Sequence, residues 1–399
     1  VPLAELRLSI PTARINQAVK DMAAAALLTG TANATSTQLA QRIQGAGGTL
    51  RADTGPGELT ISGNCLASGL PDLLAVLGDL LATADYPERP FETKRARVIS
   101  WLSVAEQRAD FQVDRAFNAR LWGKHPYGRR TPSADEIAAV EREAVIAAHR
   151  SMLQPKGARL VIVGDIDPEQ TATDVEKAFE SWSGSAGPGL PEPLPELEPG
   201  PLVLADRPGS VQSSIRVACG AVGRTHPDNA AQHLAVMALG GYSISRLVSN
   251  LRETKGFGYS LWAYVDQLPV GSVQLIGVDV ATDVTAAALA EILGELRGMT
   301  ERPVDEEELR SARGFALGAM KMGIATQAGL ANCIEALAAC GLPLSWLADH
   351  AEQLRGVTPG DVRRVAAERM GPDNAVVVIL ADVDQVAESL ARYRGAEPQ

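Results

Sequence analysis

Arg252 and Tyr259 lie seven positions apart in the segment LRETKGFGYS, Leu251–Ser260. A guanidinium and a phenol are both hydrogen-bond donors. Two donors aimed at one peptide carbonyl can hold it and stabilise the negative charge that gathers on its oxygen under nucleophilic attack. A plainer reading uses the same residues. A cation in the last turn of a helix complements the helix dipole, Gly256 suits the position just past a helix end, and Tyr259 opens a half-buried strand. Upstream, Gly240 and Gly241 mark a helix start at which Ser243 or Ser245 caps free N–H groups. Other chemistries are excluded by their missing patterns. The five histidines (His125, His149, His226, His233 and His350) form no His-x-x-Glu-His or His-Glu-x-x-His pair, the spacing that a hydrolytic zinc site on one helix requires. His226 and His233 read as surface and helix residues. No nucleophile elbow, phosphate loop or dinucleotide fingerprint occurs.

The candidates require a helix that ends at Gly256 and a strand that begins at about Tyr259. Further helices are signalled by apolar residues at steps of three and four in Leu70–Ala84 and Val284–Met299, the latter with Asp283 as the expected N-cap. Strands that form hairpins are signalled by the partly alternating β-branched runs Leu59–Ser68 and Ser272–Val280. A Pro- and Gly-rich stretch, residues 184–200, reads as an extended linker. On either side of it the chain repeats itself. QPKGARLVIVGDID (Gln154–Asp167) matches GPDNAVVVILADVD (Gly371–Asp384), and LAELRLSI (Leu3–Ile10) matches SSIRVACG (Ser213–Gly220). The expected organisation is an N-terminal domain over residues 1–183, the linker, and a C-terminal domain over residues 201–399. Each domain is expected to be α+β, a mainly antiparallel sheet covered by helices.

The chain of 399 residues has room for two cores, and 46% hydrophobic residues with only 4% aromatic ones make those cores Ala-, Leu- and Val-rich. A net charge of −11 without a basic block argues against nucleic acid as a partner. Cys65, Cys219, Cys333 and Cys340 lack metal or disulfide spacing and read as small buried hydrophobes in a reducing, cytoplasmic compartment. None stands at an electropositive helix start, as a catalytic thiolate requires. No run is apolar enough to cross a bilayer and no signal-peptide pattern is present. The chain opens directly on a strand, which leads us to expect residues upstream of Val1.

GGYSISRLVSNLRETKGFGYSLWAYV (Gly240–Val265) resembles the second-half signature of the M16 metallopeptidases, the family of the mitochondrial processing peptidases and pitrilysin. HPYGR (His125–Arg129) resembles another family segment, although its Pro and Gly equally describe a structural loop that fixes helix orientation. With the duplication and the linker, the resemblance spans essentially the whole chain and implies two duplicated domains in chains that pair as a clamshell. Active members carry His-x-x-Glu-His on the first helix, just before a Gly-Thr. Aligned on Gly30-Thr31, those histidine positions hold Asp21 and Ala25, the glutamate position holds Ala24, and a third, later ligand position falls near Trp101. Methyl groups neither coordinate zinc nor deprotonate water. The resemblance therefore implies a chain that binds no zinc itself, as in bacterial relatives that divide the enzyme between two subunits. A partner with the His-x-x-Glu-His motif would hold the zinc, and Arg252 and Tyr259, with Gly240 and Gly241, would meet the peptide substrate and stabilise the oxyanion. The alternatives are a non-catalytic scaffold, like the core proteins of a respiratory complex, and a stand-alone peptide-binding pseudoenzyme.

Overall fold

A computed structural model describes residues 2–13, 15–184, 187, 189–391, 393 and 397–398. The first half runs β1 (Leu3–Pro11), α1 (Gln17–Ala26), α2 (Ser36–Gly45), β2 (Thr49–Thr54), β3 (Glu58–Leu66), α3 (Leu70–Thr83), α4 (Glu88–Ala105), α5 (Ala109–Trp122), α6 (Ala134–Ala138), α7 (Arg142–Met152), β4 (Arg159–Gly164) and α8 (Pro168–Ala178). The second half runs β5 (Val203–Asp206), β6 (Gln212–Gly220), α9 (Asn229–Val236), β7 (Leu261–Leu268), β8 (Gly271–Ala281), α10 (Thr285–Glu301), α11 (Glu306–Gly323), α12 (Gln327–Ala339), α13 (Trp346–Gly356), α14 (Pro359–Arg369), β9 (Val376–Ala381), α15 (Val383–Leu390) and β10 (Glu397–Pro398). Two wide helical turns, Met237–Gly241 and Val248–Thr254, stand between α9 and β7. The expected helices and hairpin strands are present, with ends shifted by one or two residues. Asp283 is not the N-cap of α10. It lies in a short 3-10 turn, and the cap position falls on Val284, whose side chain makes no capping bond.

The chain forms two compact units, and these differ from the contiguous halves by two exchanged segments. Unit 1 comprises Val1–Glu106, Arg129–Glu192 and Met322–Pro343, and unit 2 comprises Gln107–Gly128, Pro193–Lys321 and Leu344–Gln399. Helix α5 therefore packs in unit 2 and α12 in unit 1. Linker residues 185, 186 and 188 lie outside the described residues. The rest of residues 184–200 carries no helix or strand, and Leu194 N–H bonds to Val270 C=O at 2.9 Å within unit 2.

Unit 1 is an antiparallel sheet in the order β2-β3-β1-β4. Helices α1 and α3 pack against its hairpin and α12 against β1 and β4. Much of the core comes from α3, on which Leu73, Leu74, Val76, Leu77 and Leu80 are fully buried. Each such side chain contributes about 1.5–3 kcal/mol. Gly78 lets α8 approach closely, since a Cβ there would lie 1.9 Å from Ala178 O.

Unit 2 is a six-stranded sheet in the order β10-β5-β9-β6-β8-β7. It is antiparallel from β9 to β7, with β5 and β10 added in parallel. Helices α9 and α10 contact one part of this sheet, and α5 contacts β5, β6 and β9. Strand β7, which follows Tyr259, is at one edge.

Strand pairing places the repeated first strands in register with the repeated last ones and shifts one sequence match by one position. Arg7 sits between Ser62 and Val161, and Arg216 sits between Gly277 and Val378. The two arginines are therefore equivalent, whereas the match of Leu3–Ile10 to Ser213–Gly220 sets Leu6 against Arg216. Each is buried and reaches the exchanged helix of its own unit. In unit 1, Arg7 Nε donates to Asn332 Oδ1 of α12 at 2.7 Å. In unit 2, Arg216 Nε donates to Asp114 Oδ1 of α5 at 3.2 Å.

Candidate functional site

The turn that carries Arg252 is π-helical rather than α-helical, a wider coil that concentrates at functional sites. Lys255 N–H bonds to Asn250 C=O, five residues back, at 2.9 Å, and Thr254 Oγ1 donates to Ser249 C=O, also at 2.9 Å. Leu247, Val248 and Leu251 are buried on its inner side. The coil ends as expected at Gly256, whose φ of +65° is the left-handed conformation that glycine accepts without strain. Phe257 N–H then returns to Leu251 C=O at 2.8 Å, closing the helix end. Gly258 follows for a different reason: a Cβ there would lie 2.6 Å from Asp279 O of β8, so only glycine lets the chain pass so close.

This path brings Arg252 and Tyr259 together. The Arg252 guanidinium carbon is 5.9 Å from the centre of the Tyr259 ring, a cation–π distance. Arg252 Nε donates to Glu253 Oε1 at 2.7 Å, and its two terminal nitrogens make no hydrogen bond among the described residues. Tyr259 is 84% exposed and precedes β7 by two residues. The reading of Tyr259 as the opening of a half-buried strand is thereby corrected: the ring stands in solvent with a cation at its face.

Helix α1 of unit 1 is built quite differently. Asn16 caps it through Ala18 and Val19 N–H. Lys20, only 1% exposed, donates through Nζ to Gly55 O at 3.1 Å and Pro56 O at 3.0 Å in the β2–β3 turn. Burial lowers its pKa from 10.5 to about 8, partly opposed by the neighbouring Asp21 carboxylate. Asp21 Oδ1 accepts from Gln17 Nε2 at 2.7 Å and from Thr54 Oγ1. Burial raises the Asp21 pKa, and these two hydrogen bonds pull it back down. Ala24 is buried and Ala25 half-buried.

Residues 139–314 match the family model described as the peptidase M16 inactive domain. A Streptomyces coelicolor protein named as an uncharacterized zinc protease is 23% identical over 372 residues, 91% of this chain and 81% of that protein. The crystal structure of the peptidase M16 inactive domain from Pseudomonas fluorescens superposes with a TM-score of 0.86 at 19% identity, covering 95% of this chain and 93% of that one. The chain is M16-like. The same fold recurs, at a TM-score of 0.79 and 13% identity, in a chain of Complex III2 from Candida albicans, with 96% of this chain and 92% of that one covered.

The positions that the sequence reading sets against the family's zinc motif do not offer a metal a donor set. Asp21 is the only one of Asp21, Ala24 and Ala25 with a donor atom, and its carboxylate is already engaged by Gln17 and Thr54. Trp101, near the third ligand position, is 60% exposed on α4 and carries no metal-binding group. Among the described residues, no group of three or more His, Cys, Asp or Glu side chains could hold a metal ion. His226 lies on the surface, while His233 lies on α9 with Nδ1 3.2 Å from His350 Nε2. Buried Cys65 and Cys219 have raised thiol pKa values, Cys219 to about 12.

Gly240 and Gly241 occupy the turn Met237–Gly241, which is also π-helical. A Cβ on Gly240 would lie 2.8 Å from the Cβ of Ala263, and one on Gly241 2.4 Å from Met237 Cε, so both glycines permit close packing of this turn. Neither expected serine cap is found among the described residues: Ser245 Oγ donates to Tyr242 C=O at 2.7 Å, and Ser243 accepts from no N–H. In His125–Arg129, Tyr127 is buried against Phe117, Leu121 and Trp122, and a Cβ on Gly128 would lie 2.3 Å from Gly123 O. This is the packing of a structural loop. Reasoning from sequence missed Lys20, Asn250 and Gly258. Lys20 offered one signal, a single cation leading a run of alanines. Gly258 offered none, because the residue that approaches it, Asp279, lies twenty-one positions further along the chain.

Proposed function

We propose that this chain is the non-metal-binding subunit of a heterodimeric zinc endopeptidase. The observation that carries the reading is the Arg252–Tyr259 pair, an exposed phenol with a guanidinium at its face, in an M16-like chain whose α1 offers only the already engaged Asp21 carboxylate as a donor. A scaffold has no use for such a pair. The partner subunit would supply the zinc, the His-x-x-Glu-His motif and the base that activates water, and the two chains would close as a clamshell around a peptide.

The contribution of this chain is electrostatic. Tyr259 donates its O–H to the scissile carbonyl oxygen, and this bond strengthens as negative charge develops there. Arg252 adds positive charge and orients either the phenol or the carbonyl through its unengaged terminal nitrogens. Gly240 and Gly241 contribute through the close packing of the turn that precedes the Arg252 coil. The substrate is an unfolded or short peptide.

The test is reconstitution with a zinc-bearing M16 chain. Cleavage should require both chains, and Tyr259→Phe should lower turnover by ~10²-fold or more with assembly retained, as expected for one lost oxyanion donor. An unchanged rate removes Tyr259 from the mechanism. A second reading, a non-catalytic scaffold, draws support from the fold shared with the Complex III2 chain. Co-purification with a membrane complex instead of a zinc-bearing relative would favour it.

A further inference from the structure

The π-helical turn that carries Arg252 is fastened to α10 and α11 at three places within unit 2. Before the turn, Arg246 forks onto Glu308 of α11, Nε to Oε1 at 2.6 Å and Nη2 to Oε2 at 2.8 Å. In its middle, the Asn250 side-chain amide donates to Glu291 Oε2 at 2.9 Å and to Glu295 Oε1 at 2.8 Å, two carboxylates one turn apart on α10. After it, Lys255 Nζ lies 3.2 Å from Glu291 Oε1. The Asn250 contact holds the Glu291 carboxyl below its ordinary pKa, with Lys255 adding to the effect.

Of these residues, Arg246, Asn250 and Glu295 line an open cleft of about 500 Å³ together with Ser249, Thr254 and Arg302, whereas Arg252 and Tyr259 do not. In a π-turn, closed by bonds five residues apart, a separation of two residues places side chains nearly opposite each other. Asn250 therefore faces α10 while Arg252 faces away toward Tyr259. The amide is also the only one of the three anchors inside the turn. Both of its hydrogens are used, so the rotation of the turn about its axis is set by two bonds rather than one.

We propose that Asn250 is a positioning residue for Arg252: its amide, shared between Glu291 and Glu295, fixes the rotation of the π-helical turn at which the guanidinium meets the Tyr259 ring. This rests on the reading of Arg252 and Tyr259 as the oxyanion pair. The placement itself can be tested without that reading. Asn250→Asp replaces two donors with a third carboxylate and repels both partners. Adding Glu291→Gln and Glu295→Gln to it restores the pair with donor and acceptor exchanged. The isolated chain, labelled with ¹⁵N-arginine, gives a side-chain Nε–H signal for Arg252 that Arg252→Lys removes and that Tyr259→Leu displaces by loss of the ring current.

The expected result is that Asn250→Asp moves the signal to its position in Tyr259→Leu, and that the exchanged triple variant returns it to the wild-type position. Circular dichroism should show both variants folded. In the reconstituted peptidase, kcat should fall ~10- to 10²-fold in Asn250→Asp, as expected for a donor displaced by about 1 Å, with a smaller change in KM and recovery in the triple variant. A folded Asn250→Asp chain whose Arg252 signal stays in place overturns the proposal. So does a folded triple variant whose signal stays displaced, even if Asn250→Asp alone does not fold. A rate indifferent to Tyr259→Phe would defeat the functional reading instead, leaving the signal shifts to decide the positioning role.

Discussion

Lys20 offers the most direct physical test of how α1 is built. Its ammonium is buried on two carbonyl oxygens at 3.1 and 3.0 Å, and its proton affinity falls from 10.5 to about 8. Between those two pH values the unfolded chain keeps a proton that the folded chain has released. Stability therefore rises with pH across that window and, as far as this group is concerned, is flat below pH 8. A difference of 2.5 (10.5 − 8) corresponds to about 3 kcal/mol, the penalty carried at neutral pH for burying the charge. Lys20→Met removes that penalty but leaves the Gly55 and Pro56 carbonyls without a donor, a loss of about 1–3 kcal/mol, so the variant should be close to wild type in stability near pH 7.

The informative quantity is how the difference between the two chains changes with pH. From about pH 8 to about pH 9.5, wild type should gain about 2 kcal/mol on Lys20→Met in denaturant unfolding. An ε-¹³C resonance assigned to Lys20 should titrate with a midpoint near 8. A midpoint at the ordinary lysine value, together with a constant stability difference, would refute the buried-charge argument.

Gly258→Ala would place a Cβ 2.6 Å from Asp279 O, so the chain leading to Tyr259 must shift. It should cost about 1–3 kcal/mol in stability and lower peptide turnover in the reconstituted pair. Gly78→Ala would bring a Cβ within 1.9 Å of Ala178 O and should force α3 and α8 apart, reducing the melting temperature more than Gly258→Ala does. His233 and His350 are both held neutral, their pKa values lowered by burial to about 4. The unfolded chain takes up protons near 6.5 while the folded one resists. Stability should therefore fall as pH drops from 6.5 toward 4, and His350→Gln should flatten that slope in an acid-unfolding titration.

Features carried by local chemistry were legible from the sequence. The α+β class, the hairpins, the duplicated strands, the Gly256 helix end and the proximity of Arg252 to Tyr259 follow from periodicity and spacing. The misses came from contacts made far along the chain. The coil before Gly256 is π-helical, and the two carboxylates that its Asn250 meets lie more than forty residues further on, on α10, where its own sequence does not show them. Asp283 lost the N-cap to a 3-10 turn in which Thr285 Oγ1 bonds to Thr282 C=O at 2.7 Å. The repeated first strands slipped by one residue because the two arginines that align them are recognisable only once both are seen buried in a sheet.

Helix α12 gives unit 1 a late requirement. The β1–β4 surface that receives it exists once residue 164 has been made, but the residues that cover it, Asn332 and Glu335 among them, come from 327–339. On the ribosome, that surface stays bare through more than a hundred and sixty further residues, with Arg7 uncovered and its Nε without the Asn332 acceptor. The nascent chain cannot finish one compact unit before starting the next. Cutting the gene at the linker would yield two fragments, each carrying a sheet that has lost its cover.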